Sequence, residues 1–289
     1  MDDQCKVWFI TGTSTGFGKI LVSLVLSRGD RVVATVRNLE DFTLTDVDRS
    51  RLHVMILDVT ESEDEVKVKA QEAIGVWGHV DFVVNNAGVT LPCVLEEGGS
   101  KAALAQFQTN VFGVMNVTNA FLPHMRDRRS GTIIQMGSRS VWKADTRLLG
   151  MYAASKAAVH AYTETLAAEL VEFGIRVLLV VPGLFRTATR TADFAYERLP
   201  AYDSLRDGDE AMLRQAWRHI TGDPRKAMEL VVDVVRGEGK AEGKDFPLWL
   251  ILGRATHAHL RAHCDTLRRS MDTWVDVARD LDFDEAGDA

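Results

Sequence analysis

Short segments that are apolar at almost every position recur along the first two thirds of the chain, and longer segments with helical periodicity separate them. A strand without polar alternation has both faces covered, which is typical of a parallel sheet flanked by helices. Strands and helices in alternation predict a doubly wound α/β fold. The predicted strands are Val7–Thr11, Arg31–Val36, His53–Leu57, Asp81–Val84, Thr132–Met136 and Arg176–Val181.

The last third of the chain is less regular. From 184 to 222 aromatic residues mix with charged and small polar ones, which indicates either a lid over a substrate pocket or a small packed core. A helix is expected at Pro224–Arg236, with Asp223 as its cap and Pro224 at its first position. A strand at Leu248–Leu252 and an amphipathic helix at about 255–281 would complete a single domain over 1–289.

Composition narrows the class of protein. With 46% hydrophobic and 26% charged residues the chain has the make-up of a globular protein. The net charge of −7 argues against nucleic-acid and anionic-membrane partners, which need clustered cations. The three cysteines are far apart, so neither a disulfide framework nor a zinc site is expected, and no metal is predicted. Without a signal peptide or a run of about 20 apolar residues, we expect a cytoplasmic protein with a small-molecule substrate.

A glycine-rich turn directly follows the first predicted strand and precedes a helical pattern. Gly12 and Gly16 allow backbone N–H groups to approach a pyrophosphate, and Gly18 allows close packing of helix on sheet. The alternative is a turn with a packing role only. The turn predicts a dinucleotide site that includes Gly12, Ser14, Thr15, Gly16, Phe17 and Gly18.

The second predicted strand ends at Arg37, where an NAD-binding protein would be expected to carry an Asp or Glu for the ribose hydroxyl. A guanidinium offers several donors that suit a 2′-phosphate, which favours NADP(H) over NAD(H). The alternative is that Arg37 is an ordinary solvated arginine.

Five motifs occur in register between Val7 and Thr187, and together they resemble the short-chain dehydrogenase/reductase family. They are Thr11-Gly-x-x-x-Gly-x-Gly18, Asn85-Asn86-Ala87-Gly88, Asn110 with Ser138, Tyr152-x-x-x-Lys156, and Pro182-Gly183-x-x-x-Thr187. The resemblance implies a Rossmann-type fold and an NAD(P)-dependent oxidoreductase that moves a hydride between nicotinamide and a carbonyl or alcohol carbon. It also implies a homodimer or homotetramer, joined through the helices that carry Asn110 and Tyr152.

Carbonyl reduction leaves charge on the substrate oxygen, so a proton donor must lie within hydrogen-bond reach of it. Tyr152 would be that donor, and a cation at Lys156 would lower its pKa from about 10 by roughly 1–3 units. Spaced i and i+4 on one helix, both side chains lie on the same face. By resemblance Lys156 also holds the nicotinamide ribose, Ser138 steadies the substrate oxygen, and Asn110 anchors a water. The alternatives are a helix-face aromatic, a solvated lysine and a polar helix residue.

The serine spacing departs from the family pattern. Ser138 lies fourteen residues before Tyr152, one more than the family usually shows, and Ser140 lies twelve before it. We choose Ser138 because it directly follows the strand end, whereas an extra residue is easily absorbed in the loop.

Further cofactor contacts follow from the resemblance. Asp58 and Val59 would contact adenine, and Asn86, Ala87 and Gly88 would lie beside the adenosine ribose. Asp58 could instead be a plain helix cap.

The nicotinamide carboxamide would lie between the turn Pro182-Gly183 and Thr187, because a Pro-Gly turn brings backbone close to the ring and a hydroxyl pairs with an amide. Turn geometry alone is the alternative.

The expected substrate is an apolar or aromatic ketone or secondary alcohol, because such pockets are apolar with few polar anchors. A non-catalytic NADPH-binding sensor or scaffold is the alternative function. The TGxxxGxG spacing weakens a third hypothesis, an epimerase or dehydratase. The expected pocket walls carry Leu91, Val94, Trp142, Leu148, Leu149, Met151, Phe185, Phe194 and Tyr196.

Overall fold

The computed structural model describes residues 5–143, 145–187 and 196–283, and within them seven strands form one parallel sheet. The strand order is β3-β2-β1-β4-β5-β6-β7, so the winding reverses between β1 and β4. The strands are β1 Val7–Ile10, β2 Arg31–Val36, β3 Leu52–Ile56, β4 Phe82–Asn85, β5 Gly131–Met136, β6 Ile175–Pro182 and β7 Trp249–Leu252.

Helices cover both faces of the sheet. They are α1 Gly16–Ser27, α2 Glu63–Trp77, α3 Leu95–Phe107, α4 Gly113–Arg128, α5 Gly150–Leu170, α6 Asp203–Arg218, α7 Pro224–Arg236 and α8 Arg254–Ala278. Alternate residues of β1 enter opposite cores: Trp8 and Ile10 pack with α1 and α7, whereas Val7 and Phe9 pack with α2, α4 and the end of α5. The predicted doubly wound parallel sheet is therefore confirmed.

Most element bounds agree with the sequence prediction to within about one residue. The strand predicted at Arg31–Val36 has the same bounds as β2, and the helix predicted at Pro224–Arg236 has the same bounds as α7. As expected, the Asp223 carboxylate caps α7, accepting the backbone N–H groups of Arg225 at 2.8 Å and Lys226 at 3.3 Å. The last helix begins at Arg254 and ends at Ala278, slightly earlier than predicted.

The segment predicted as a lid, 184–222, is described except for 188–195, so Phe194 lies outside the described residues. Its start and end meet where Phe185 forms a parallel bridge with Gly222. Between them, the backbone N–H of Leu199 donates to Glu97 on α3 at 2.8 Å. Arg206 on α6 donates to the same carboxylate, and the two side chains are 2% and 0% exposed. A buried ion pair therefore fastens α6 to α3.

We expect Glu97→Gln to loosen this segment, because it leaves the buried Arg206 guanidinium with only the exposed Asp203 carboxylate as an ionic partner. Removing one partner of a buried ion pair costs about 3–5 kcal/mol. Limited proteolysis, with cleavage sites mapped by mass spectrometry, should show at least tenfold faster cleavage within 196–222. The matched control is Glu96→Gln, which changes the adjacent exposed carboxylate that accepts from the Tyr202 hydroxyl at 2.5 Å. Equal cleavage rates in both variants would contradict the assignment.

Candidate active site

The loops that follow β1 and β4 are hydrogen-bonded to each other where the winding of the sheet reverses. The Asn86 side-chain amide donates to the carbonyls of Thr11 at 2.8 Å and Gly12 at 2.9 Å. In return, the Thr11 hydroxyl accepts the backbone N–H groups of Asn86 at 3.0 Å and Ala87 at 2.9 Å. In open α/β sheets, ligands bind in the crevice at such a reversal.

The glycines of the first loop are required by close contacts. Gly12 has φ +69°, and a Cβ there would lie 2.9 Å from Ala87 Cα. A Cβ on Gly18 would lie 2.4 Å from the Gly12 carbonyl oxygen. α1 begins at Gly16, so its unpaired N–H groups open onto the same crevice and favour an anion there. The loop therefore fits the pyrophosphate of a dinucleotide.

Three other loop residues were predicted to contact the cofactor. Ser14 is half-buried in the turn, and Thr15 is exposed immediately before α1. The Phe17 ring packs edge-on against Phe185 of the lid segment, with 5.7 Å between ring centroids. The structure thus brings the loop against the start of the lid, and the cofactor contacts themselves stay predictions.

The residues expected around the adenosine lie beyond the ends of β2 and β3. Arg37 is exposed directly after β2. The Asp58 carboxylate accepts the N–H and the hydroxyl of Thr60 at 2.9 and 2.8 Å, so it shapes the turn after β3. Val59 is buried, and a Cβ on Gly113 of α4 would lie 2.8 Å from it.

On α5, Tyr152 and Lys156 lie one turn apart at the end of β5. The Tyr152 phenol is hydrogen-bonded to the Ser138 hydroxyl. The Lys156 ammonium is 5% exposed and donates to the Met136 carbonyl at 2.7 Å. The structure therefore brings three of the four predicted catalytic residues together at the end of β5 and the loop after it.

Burial controls the titration of this pair. It raises the pKa of the Tyr152 phenol, an effect that the hydrogen bond from Ser138 partly opposes. Burial also lowers the pKa of Lys156 to about 8. The sequence led us to expect that Lys156 would lower the pKa of Tyr152, but here the ammonium is directed to Met136 and desolvation of the phenol dominates. At neutral pH the phenol is a proton donor.

The geometry favours Ser138 over Ser140. The Ser138 hydroxyl accepts the backbone N–H of Ser140 at 3.1 Å and the Ser140 hydroxyl at 2.9 Å. Ser138 in turn is bonded to Tyr152. Ser140 therefore supports the serine that meets the phenol.

Asn110 lies in one π-helical turn, Gln108–Phe112, between α3 and α4. Such turns occur frequently at functional sites. Its fully buried amide donates to the Val89 carbonyl at 3.0 Å and the Ser155 hydroxyl at 3.1 Å, and accepts the Val89 N–H at 2.8 Å. A Cβ on Gly88 would lie 3.3 Å from Asn110 Oδ1 and 3.8 Å from Lys156 Nζ, so the amide and the ammonium flank the same glycine.

His160 is a site residue that the sequence analysis missed. It follows Lys156 by one turn of α5, and its Nε2 accepts the backbone N–H of Ser138 at 3.2 Å. Its buried Nδ1 has no hydrogen-bond partner among the described residues, and the ring packs between Trp142 and Trp249 with centroids 5.6 and 5.3 Å away. Burial, followed by the charge of Lys156, lowers its pKa to about 4. The only sequence signal is its i+4 spacing from Lys156.

The residues expected beside the nicotinamide lie at the end of β6. The Gly183 N–H donates to the Leu252 carbonyl at 3.1 Å. A Cβ on Gly183 would lie 2.3 Å from the Thr256 hydroxyl of α8, so packing against α8 requires this glycine. Pro182 is buried, Thr187 is half-buried, and a Cβ on Gly16 would lie 3.7 Å from Thr187 Cβ. The glycine loop and this turn therefore face each other.

Two other features are absent from the described residues. No group of three or more His, Cys, Asp or Glu side chains there is placed to hold a metal ion. None of the helices in this part of the chain combines the length and the hydropathy that a bilayer-crossing helix needs.

Comparison with known proteins identifies the family. The sequence profile of the short chain dehydrogenases matches residues 6–197. Oxidoreductase BOA17 of Botryotinia fuckeliana is 28% identical over 279 residues, covering 94% of this chain and 98% of that protein. Bacteroides thetaiotaomicron 3-ketodihydrosphingosine reductase is 36% identical over 184 residues, covering 64% of this chain and 65% of that protein. Human retinol dehydrogenase 16 is 35% identical over 198 residues, covering 65% and 59%.

Solved structures agree with this. A short-chain dehydrogenase from Streptomyces avermitilis is 33% identical with a TM-score of 0.85, over 98% of this chain and 100% of that one. Two structures below 25% identity share the fold. A Burkholderia cenocepacia enzyme in complex with NADP has a TM-score of 0.70 over 94% of this chain and 98% of that one. A Burkholderia phymatum enzyme in complex with NAD has a TM-score of 0.77 over 93% and 96%.

The profile match covers the glycine loop, the π-helical asparagine and the residues around the end of β5. The chain therefore belongs to the short-chain dehydrogenase/reductase family and is an oxidoreductase that acts on alcohol and carbonyl groups.

Proposed function

We propose that this enzyme is an NADP(H)-dependent ketoreductase or alcohol dehydrogenase that acts on an apolar or aromatic ketone or secondary alcohol. The observation that carries the proposal is the half-buried, protonated Tyr152 phenol, hydrogen-bonded to Ser138 and one helical turn from the buried Lys156 side chain. A proton donor at this position would serve carbonyl reduction.

A dinucleotide fits the crevice between the loops after β1 and β4, where glycines leave room for backbone contact and α1 presents its N-terminus. When bound, the nicotinamide supplies or accepts the hydride. Gly12, Gly16 and Gly18 would hold the pyrophosphate, and the run from Asn86 to Gly88 would lie along the adenosine side.

In the reductive direction, Tyr152 donates its proton to the substrate oxygen as charge develops there. Ser138 donates a hydrogen bond to the same oxygen and keeps the phenol oriented. Lys156 then stabilises the phenolate, because a nearby cation favours the charged form. Asn110 holds the loop after β4 against α5, and with Lys156 it would anchor the water through which the phenol is reprotonated.

The preference for NADP(H) is part of the proposal and rests on Arg37. Its guanidinium is exposed at the carboxyl end of β2, beside the glycine loop, where it would meet a 2′-phosphate. Thr13 ties these two elements together, since its N–H and its hydroxyl both donate to the Thr35 carbonyl at 3.0 Å.

The substrate class follows from the walls of the site and from the relatives. Leu91 and Leu148 are buried near it, and Trp142 lies four residues beyond Ser138. A 3-ketodihydrosphingosine reductase and a retinol dehydrogenase are similar to this chain, and their names denote apolar substrates. We further propose a cytoplasmic homodimer or homotetramer whose helices α4 and α5 contribute to the interface, and a substrate lid over 184–222.

We expect Tyr152→Phe to lower turnover of NADPH with a panel of apolar ketones by about 10²–10⁴-fold, because it removes the proton donor. Affinity for NADPH, measured by fluorescence titration, should change little. The matched control is Tyr162→Phe, the same change ten residues along α5 at a phenol hydrogen-bonded to Thr118. A wild-type protein that binds NADPH without turnover on any ketone or alcohol would instead support a sensor.

Replacing Arg37 with Ala should weaken NADPH binding and leave NADH binding unchanged. Hydrogen bonds to a charged group contribute about 1.5–3 kcal/mol, which is about a tenfold to hundredfold change in Kd. Isothermal titration with both cofactors measures this, with Arg49→Ala, another exposed arginine between β2 and β3, as control. An equal loss for both cofactors, or tighter wild-type binding of NADH, would contradict the NADP(H) preference.

His160 makes the stability of the folded enzyme depend on pH. The folded protein holds this imidazole neutral down to about pH 4, whereas in the unfolded chain it titrates near 6.5. The unfolded state therefore binds the extra proton first, and stability is lost as the pH falls from about 6.5 to about 4. Chemical denaturation at several pH values should show a smaller loss over this range for His160→Gln than for the wild type.

Turnover at neutral pH tests a second role of His160, which is to position Ser138 by accepting its backbone N–H. His160→Gln keeps an acceptor for the Ser138 N–H and should remain active, whereas His160→Ala should lose about threefold to tenfold in kcat, the equivalent of one hydrogen bond. If the stability of the wild type and of His160→Gln changes equally with pH, a group other than His160 is responsible for the pH dependence of stability.

A further inference from the structure

The distal part of α8 leaves the body of the protein. Only Thr256, in the first turn, is buried, and the next contact is the hydrogen bond between His259 and Arg139 at 2.9 Å. Every residue from 264 to the end of the described chain at 283 is exposed. About four turns of helix therefore have no packing partner among the described residues, and an isolated helix of that length is marginal in water.

Most apolar side chains of this segment fall on one line, and Val275, Val277 and Phe283 lie outside it. The spacing along this line alternates between four and three residues, which is the heptad pattern of helices that pack along their length. Met271 and Trp274, at the centre, are 71% and 62% exposed. We call this line the α8 seam; its members are Cys264, Leu267, Met271, Trp274 and Ala278 on α8 and Leu281 shortly after the end of the helix.

The charges of α8 and of the five described residues after it are divided between two halves of this segment. Residues 254–269 carry four arginines against one aspartate, and residues 270–283 carry four aspartates against one arginine. Two such helices side by side in the same direction would align like charges, whereas opposite directions align arginines with aspartates. We propose that α8 pairs in antiparallel orientation with α8 of a second copy of this chain, through the α8 seam.

One antiparallel register brings the members of the α8 seam on the helix from Leu267 to Ala278 into layers with members from the other copy, and brings Cys264 to the segment after the partner's helix that carries Leu281. Met271 then lies opposite Trp274 of the partner subunit, and a thioether packs well against an aromatic ring. Leu267 lies opposite Ala278 of the partner subunit, a large side chain against a small one.

A lipid surface is the competing occupant of an exposed apolar helix face. Helices that lie on membranes carry Lys and Arg on the polar side. Residues 264–283 carry five aspartates against three arginines, which disfavours anionic lipid. The charge pattern therefore favours a second copy of the chain.

The full-length protein tests the proposal by sedimentation velocity. Met271→Glu combined with Trp274→Glu should halve the mass of the wild-type assembly, because it places charges in the centre of the α8 seam. The matched control is Thr266→Glu with Thr273→Glu, on the polar side of the same helix, which should leave the mass unchanged. A wild-type monomer would overturn the proposal. So would an assembly whose mass the seam variant leaves unchanged, which is the result expected if α4 and α5 alone form the interface.

Orientation is tested by a second cysteine. In Leu281→Cys, mild oxidation should link Cys264 of one chain to the cysteine introduced at position 281 of another. When isotope-labelled and unlabelled protein are mixed, mass spectrometry should find this link as a disulfide-bonded peptide pair with one labelled and one unlabelled member. Links between two copies of Cys264 would mean parallel helices and overturn the antiparallel pairing. Sedimentation of the wild type, but not the seam variant, with phosphatidylglycerol vesicles would show that lipid is the occupant. Turnover should be the same in all variants, so this test does not depend on the proposed reaction.

Discussion

A threonine hydroxyl and an asparagine amide hold the two halves of this enzyme's crevice together. Thr11 accepts two backbone N–H groups from the loop after β4, and Asn86 donates to two carbonyls of the loop after β1. These contacts pair four backbone groups of the two loops. They also hold Gly12 close to Ala87, so the glycine loop is fixed relative to the loop after β4.

Backbone groups at the end of β5 organise the face of α5 that carries Lys156 and His160. Lys156 donates to the Met136 carbonyl and His160 accepts the Ser138 N–H, so two successive turns of the helix are bonded to the strand end. Both side chains are buried, and burial favours their neutral forms. The same desolvation keeps the Tyr152 phenol protonated. The electrostatics of the site thus follow more from the exclusion of water than from pairing of charges.

Sequence patterns predicted the features that depend on local chemistry. Strand apolarity gave the parallel sheet, and Asp223 with Pro224 fixed the start of α7. The order of the motifs indicated the family and the candidate residues from Asn110 to Lys156. These predictions succeed because periodicity, caps and glycine turns are set by neighbours in the chain.

The remaining features depend on contacts between distant segments. The ion pair of Glu97 and Arg206 spans more than a hundred residues of sequence, and neither residue differs in pattern from a surface charge. His160 is recognisable as a support for Ser138 only when α5 is placed on β5. The direction of the pKa shift at Tyr152 depends on burial, which the spacing of Tyr and Lys does not reveal.

The match to the family profile stops at residue 197, and all the proposed catalytic residues precede that point. Yet Thr256, far beyond it, fills the space that Gly183 leaves open, and β7 extends the sheet beside β6. The end of the chain beyond the profile match thus packs directly against the turn after β6. Substitutions there can reshape one side of the candidate site without changing any of the proposed catalytic residues.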